Sequence, residues 1–176
     1  MRKKRIATVW LAGCSGCHMS LFDLDERLLE VGKLADIVRS PLVDAKEFPE
    51  VDIALVEGAV ASDQHLEEIK TIRKRSKILV SLGDCAVTGN VSALRNWIPV
   101  QDVLKCSYVD APSNDSAKIP DQGPIQKLLQ RVRPLHEVVN VDVFIPGCPP
   151  GADLIYKCLS DLIHDRMPKI DKPKFG

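Results

Sequence analysis

Three short strand-like runs in this chain each stop at a glycine-flanked cysteine. Ile6–Ala12 leads into Gly13-Cys14-Ser15-Gly16-Cys17, Lys77–Leu82 into Gly83-Asp84-Cys85-Ala86, and Val141–Ile145 into Pro146-Gly147-Cys148-Pro149-Pro150. Runs of this length and apolarity read as buried strands of a parallel sheet. If one edge of one sheet ends all three, it gathers four thiols from remote segments. Four soft thiolates collected in that way make a metal cage.

The segments between the cysteine motifs alternate strand and helix signals. The first strand is expected over Arg5–Ala12. A helix follows, with Leu21, Leu24, Leu28 and Val31 as its apolar stripe and Gly32 closing it. Leu34–Val38, Asp52–Glu57, Lys77–Leu82 and Val141–Ile145 are the other four expected strands. Ser62 or Asp63 caps a helix that turns Leu66, Ile69 and Ile72 inward and Lys70, Arg73, Lys74 and Lys77 toward water. Ala86–Leu94 is expected to form a short helix behind Cys85. Lys105–Gly123, rich in Pro, Ser, Asn and Asp, reads as an irregular surface excursion. Pro124 then opens a helix with Ile125, Leu128, Leu129 and Val132 inward. A last helix is expected from Ala152 to His164, with Ile155, Leu159 and Leu162 on its core face, before a polar tail from Lys169. No repeat or linker divides the chain, so residues 1–176 are expected to form one domain. Five strands joined by helices give an α/β fold, a flavodoxin-like doubly wound parallel sheet of order 2-1-3-4-5. Ligands on such sheets bind beyond the carboxyl ends of the strands.

Composition removes several function classes. Lys plus Arg and Asp plus Glu each total 24, and this balance does not favour nucleic acid. The basic start Arg2-Lys3-Lys4-Arg5 is short and is expected to be a solvated end. No apolar stretch approaches the roughly 18 residues of a membrane span, and the first apolar run enters a cysteine motif rather than a cleavage site. A cytoplasmic location is therefore expected, where thiols stay reduced. Six cysteines in such a compartment point to metal ligation or burial before disulfides.

Cys14 and Cys17 form a C-x-x-C pair, which redox pairs and zinc knuckles share. A redox pair is complete in itself and does not need Cys85 or Cys148. A structural zinc usually takes its second half from another local pair, whereas the remaining cysteines here are remote single residues. A [4Fe–4S] cluster needs four thiolates and can take them from a finished sheet. Iron–sulfur, zinc and uninvolved buried cysteines all stay open at this stage. Cys158, beside Ile155 and Leu159, reads as a small buried hydrophobe. Cys106 reads as a free thiol. With no second set of four cysteines, the chain has room for one such cluster.

Cys14-Ser15-Gly16-Cys17, Val56-Glu57-Gly58, Gly83-Asp84-Cys85-Ala86-Val87-Thr88-Gly89 and Pro146-Gly147-Cys148-Pro149-Pro150 resemble the small subunit of nickel–iron hydrogenases. They also resemble its relative, the twenty-kilodalton subunit of NADH:quinone oxidoreductase. The resemblance runs from Ile6 to about Leu162. It implies that Cys14, Cys17, Cys85 and Cys148 bind one [4Fe–4S] cluster near the nickel–iron site of a large subunit. In the respiratory relative the first two cysteines are adjacent; here two residues separate them, as in hydrogenases. Periplasmic members carry a twin-arginine signal and a further multi-cluster domain, and neither is expected here. The pattern is closest to the short small subunit of soluble NAD-reducing bidirectional hydrogenases. There a large subunit holds nickel and iron, and a diaphorase module carries flavin, further iron–sulfur clusters and the NAD site. The chain itself is then an electron-transfer subunit with no nickel ligands of its own.

Two other functions compete. One is a quinone-module subunit of a respiratory NADH dehydrogenase. The other is a flavodoxin-like carrier of FMN, although the loop after the first strand is Gly-Cys-Ser-Gly-Cys rather than hydroxyl-rich. Glu57, at a strand end beside the cysteines, has two readings: a proton relay, or a buried acid accepting backbone N–H groups. His18 directly follows a ligand candidate and has two readings: a donor to a cluster sulfide, or, as expected, a residue at a helix start or an interface. Asp84 is expected to cap the helix behind Cys85.

Overall fold

The computed structural model describes residues 2–45, 47–115, 117–120 and 124–176. Its centre is a parallel sheet of five strands: β1 (Lys4–Trp10), β2 (Ala35–Arg39), β3 (Val51–Glu57), β5 (Ser76–Leu82) and β7 (Val143–Ile145), in the order β2-β1-β3-β5-β7. Counted within this sheet alone, that is the expected 2-1-3-4-5. β3 lies in the middle and every one of its residues is buried. Its neighbours Ile53 and Leu55 point to one face, Ala54 and Val56 to the other, as strand alternation requires.

Each face is covered by helices. Ile53 and Leu55 pack with Leu21 and Leu24, with Val31, and with Ile155, Leu159 and Leu162 of the last helix α7 (Ala152–Ile163). Ala54 and Val56 pack with Ile69 and Ile72 of α3 (Asp63–Arg75) and with Leu135. Ile69, Ile72, Ile155 and Leu162 are essentially inaccessible to water. Each contributes about 1.5–3 kcal/mol by burial. The Ser62 hydroxyl accepts the His65 N–H at 3.2 Å and so caps α3, as the sequence indicates.

Four sequence expectations are corrected. The helix after the first cysteine pair is two helices, α1 (Gly16–Phe22) and α2 (Arg27–Leu34). Asp25 adopts a positive φ in the turn between them, and Gly32 lies inside α2 rather than ending it. The helix behind Cys85 starts earlier, at Asp84, and breaks at Gly89, whose φ is +87°. α4 (Asp84–Thr88) is therefore followed by a separate short α5 (Asn90–Ala93) and a 3₁₀ turn over Leu94–Trp97. The start of the expected excursion is helical: α6 spans Val100–Tyr108, while Gly123 lies outside the described residues.

The fourth correction is the largest. The segment read as a helix from Pro124 contains β6 (Leu128–Arg133), paired antiparallel with β4 (Val60–Ser62) in a small second sheet. Its apolar spacing fits a helix, but β4 supplies a ladder partner and Val132 buries itself against Ala59 and Ala61. Tertiary pairing overrides the local period.

Candidate metal centre

β1, β5 and β7 are parallel, so the loops that follow them emerge at one edge, and these loops carry Cys14, Cys17, Cys85 and Cys148. Backbone bonds tie the loops together. Gly83 N–H donates to the Ile145 carbonyl at 2.7 Å, and Asp84 N–H donates to the Gly147 carbonyl at 2.9 Å. The first loop is fixed to the end of β3 by Leu11 N–H to Glu57 O at 2.8 Å and by a reciprocal Ala12–Ala59 pair at 3.1 and 2.8 Å. Gly58 permits that approach: its φ is +89°, and a Cβ there would come within 2.8 Å of the Leu11 backbone. The buried Ser20 hydroxyl of α1 donates to the Pro150 carbonyl at 2.5 Å, joining the first and third motifs.

Cys17 and Cys85 are buried, whereas Cys14 and Cys148 are exposed. The Cys17 sulfur lies against the backbone of Gly83, where any Cβ would overlap it. Burial pushes the Cys17 thiol well above its ordinary pKa. The negative charges of Glu57, Cys85, Cys14 and Cys148 push it further, so the other three motif sulfurs all act on it. Burial also raises Cys85, against the lowering effect of Ser92 hydrogen-bond donors, while Cys14 and Cys148 raise it again. Among the described residues, no Lys or Arg stands among the principal charges acting on either thiol. A cluster of thiols without local cations suits a cationic metal core, which supplies the missing positive charge. Among the described residues, no three His, Cys, Asp or Glu side chains are set as ligands to one metal ion. A single zinc needs its sulfurs about 2.3 Å from one point, whereas a four-iron cluster spreads its four thiolates over four irons. Four thiolates are the donor set that such a cluster takes.

Glu57 is 1% exposed. Its Oε2 accepts the backbone N–H of His18 at 2.9 Å and faces His18 Nδ1 at 2.5 Å. The carboxylate thus accepts a backbone N–H from the segment that carries Cys17, and it also holds a ring that the sequence did not pair with it. His18 sits in the first turn of α1, buried, and its Nε2 has no partner among the described residues. Asp84 does not cap α4: its Oδ1 accepts Gly147 N–H at 2.6 Å and its Oδ2 accepts Gly176 N–H at 2.7 Å. These partners were hidden because each joins residues far apart in sequence; buried acids beside ligand motifs are the signal that flags them. Cys158 is buried as expected, which raises its thiol to about 11, and Cys106 is exposed. Neither belongs to a cysteine motif at this edge.

The model of the family described as "NADH ubiquinone oxidoreductase, 20 Kd subunit" matches residues 14–162. The chain belongs to that family. The family match takes in all four motif cysteines, Glu57 and Asp84. Among curated members, the chain is 42% identical over 168 residues to the delta chain of the NAD-reducing hydrogenase HoxS of Cupriavidus necator, covering 93% of this chain and 80% of that protein. It is 39% identical over 166 residues to a chain of the F420-non-reducing hydrogenase of Methanothermobacter marburgensis, covering 92% of this chain but only 54% of that one. A solved chain of an NAD+-reducing [NiFe]-hydrogenase superposes with a TM-score of 0.93 at 41% identity, with 96% of each chain covered. A [NiFeSe]-hydrogenase from Dm. baculatum, at a TM-score of 0.63 and 18% identity, shares the fold. The five-stranded order described above is thus that of the hydrogenase small-subunit fold. No helix among the described residues is long and apolar enough to cross a membrane.

Proposed function

We propose that this chain is the electron-transfer small subunit of a cytoplasmic, NAD-linked nickel–iron hydrogenase, with residues 1–176 acting as one flavodoxin-like domain. Cys14, Cys17, Cys85 and Cys148 would hold one [4Fe–4S] cluster. When bound, the cluster supplies a one-electron relay between the nickel–iron site of a partner large subunit and a diaphorase module with flavin, further clusters and the NAD site. The observation that carries this reading is the arrival of four thiols from three remote motifs at one sheet edge. The NAD branch draws support from the 41% identity and the TM-score of 0.93 to the solved NAD+-reducing chain.

The chain's own residues prepare that edge. Gly83 leaves room for the Cys17 sulfur, and Glu57 fixes the start of α1 through the His18 amide. His18 Nδ1 and Glu57 Oε2 share a hydrogen bond, and Nε2 has no partner among the described residues. Glu57 and His18 are therefore assigned as a proton relay beside the cluster, not as the site of hydrogen chemistry. Exposed Cys14 and Cys148 require a covering partner. Trp10, Met19 and Phe22, all exposed next to the first motif, give that partner an apolar footing.

The test is to purify the chain with its native partners and measure metal, acid-labile sulfide and hydrogen-dependent NAD reduction. Iron and sulfide near four each per chain are expected from the cluster, once the partners' content is subtracted. One zinc without sulfide overturns the cluster, and a complex that never reduces NAD with hydrogen overturns the assigned activity.

A further inference from the structure

Asp84 stands between two cysteine motifs, is 3% exposed, and spends both carboxylate oxygens on backbone N–H groups from other segments. Gly147 N–H, one residue before Cys148, donates to Oδ1; Gly176 N–H donates to Oδ2. The Asp84 amide in turn donates to the Gly147 carbonyl, so the Cys85 and Cys148 loops are clasped in both directions. The second oxygen brings in the polar segment 171–176, which is otherwise exposed. Gly176 lies directly on Cys148, 3.1 Å from its backbone nitrogen as measured from an ideal Cβ, and that Cβ would overlap the Cys148 Cβ. A residue larger than glycine does not fit there without lifting the segment away. Acids buried this deeply are costly unless fully hydrogen-bonded, and this one uses its bonds to set the spacing of two candidate ligands.

We propose that Asp84 is a positioning residue of the metal centre: its carboxylate clasps the Cys85 and Cys148 loops and holds the end of residues 171–176 against one side of Cys148, leaving its exposed side to a partner. The assignment rests on the cluster reading above. Asp84 orients backbone and places one negative charge beside the two ligands, which favours the oxidised cluster. Gly147 N–H, being committed to Asp84, is not free to bond a cluster sulfur.

Two variants in the purified complex separate these effects. Asp84→Asn keeps the shape but turns one acceptor into an NH₂ that faces an N–H donor. Gly176→Ala keeps the charge and lifts only the covering segment. Iron and sulfide in the unsubstituted complex judge the cluster reading by themselves. In D84N the ratio of reduced to oxidised cluster at a fixed ambient potential, read by electron paramagnetic resonance, shifts at least tenfold toward reduced, about 59 mV for one electron. In G176A that ratio stays within threefold of the unsubstituted complex, while bleaching by oxygen speeds up at least threefold in both variants. An unshifted ratio in D84N overturns the positioning role, and unchanged bleaching in G176A overturns the closure. Where D84N fails to load iron, hydrogen exchange on the full apo chain decides: Gly147 amide protection falls at least tenfold in D84N but not in G176A, and equal protection overturns the clasp.

Discussion

Strand β3 carries a buried acid near each end, and the two are satisfied in opposite ways. Asp52, near the start, is 5% exposed and meets Arg2 at 2.9 and 3.0 Å, Lys77 at 2.8 Å and the Arg5 N–H at 2.9 Å. Burial alone pushes its pKa up, but the Arg5 amide, Lys77 and Arg2 outweigh it and leave the carboxyl below its ordinary value. Glu57, at the cysteine end, is more deeply buried, and its partners among the described residues are the amide and the ring Nδ1 of His18. One strand thus runs from an acid neutralised by cations to an acid held by an amide and an imidazole. The first arrangement serves stability. The second ties a buried acid to the segment that carries Cys17 and leaves His18 Nε2 without a partner among the described residues, an arrangement more typical of functional sites than of stable cores.

The sharpest way to break this contrast is at the sulfurs. Cys17→Ala should lose nearly all cluster iron, and Gly83→Ala should come close to it. At Gly83 the φ of +81° disfavours any side chain, and a Cβ would overlap the Cys17 sulfur. Iron analysis of the purified complexes checks both, with Asp52→Asn as the opposite-end control at full iron content. A G83A complex with full iron would show that the close fit at Cys17 is dispensable. Next in size is Glu57→Gln. An amide oxygen can still accept from His18, so yield and iron should stay normal, while hydrogen-dependent NAD reduction slows at least about tenfold, roughly 1.4 kcal/mol in the barrier. Unchanged turnover with a lower melting temperature would place Glu57 in the same class as Asp52 and remove the relay.

How far the sequence could reach follows the same division. Strands β1, β2, β3, β5 and β7 were legible because each is a compact apolar run, and their order follows from the connections. The cysteine edge was legible because glycine and cysteine punctuate strand ends. What escaped was set by partners distant in the chain. Leu128–Arg133 has helical spacing and becomes a strand only because Val60–Ser62 pairs with it. Asp84 sits where a cap belongs, yet its acceptors go to Gly147 and Gly176, 63 and 92 residues away. The His18–Glu57 contact spans 39 residues. Such bonds leave no local period to read, only the hint of an acid in an apolar setting.

At the other end of β3 the effects should be smaller and confined to stability. Asp52→Asn removes the charge but keeps one acceptor, and should cost about 1–3 kcal/mol at neutral pH with turnover unchanged. Because the folded pKa of Asp52 is depressed, its contribution is fully present above the ordinary carboxylate range and is lost as pH falls through the folded value. The stability gap between D52N and the unsubstituted chain should therefore narrow from pH 7 to pH 3 in denaturant titrations; a gap that widens in acid would contradict the ion-pair account.

The smallest effects belong to the cations themselves. Arg2 and Lys77 are 68% and 72% exposed at their side chains, while Asp52 beneath them is 7%. Water already solvates each cation, and each replaces the other in part, so Arg2→Ala or Lys77→Ala alone should cost no more than about 1 kcal/mol. The Debye length is about 10 Å at 0.1 M and shortens with added salt, so that cost should shrink further as ionic strength rises. Removing both cations strands a buried carboxylate with only the Arg5 N–H, and the double variant should cost more than the sum of the single ones. Strict additivity in that cycle would mean that Asp52 is held by its backbone partner as Glu57 is, and the two ends of β3 would be alike after all.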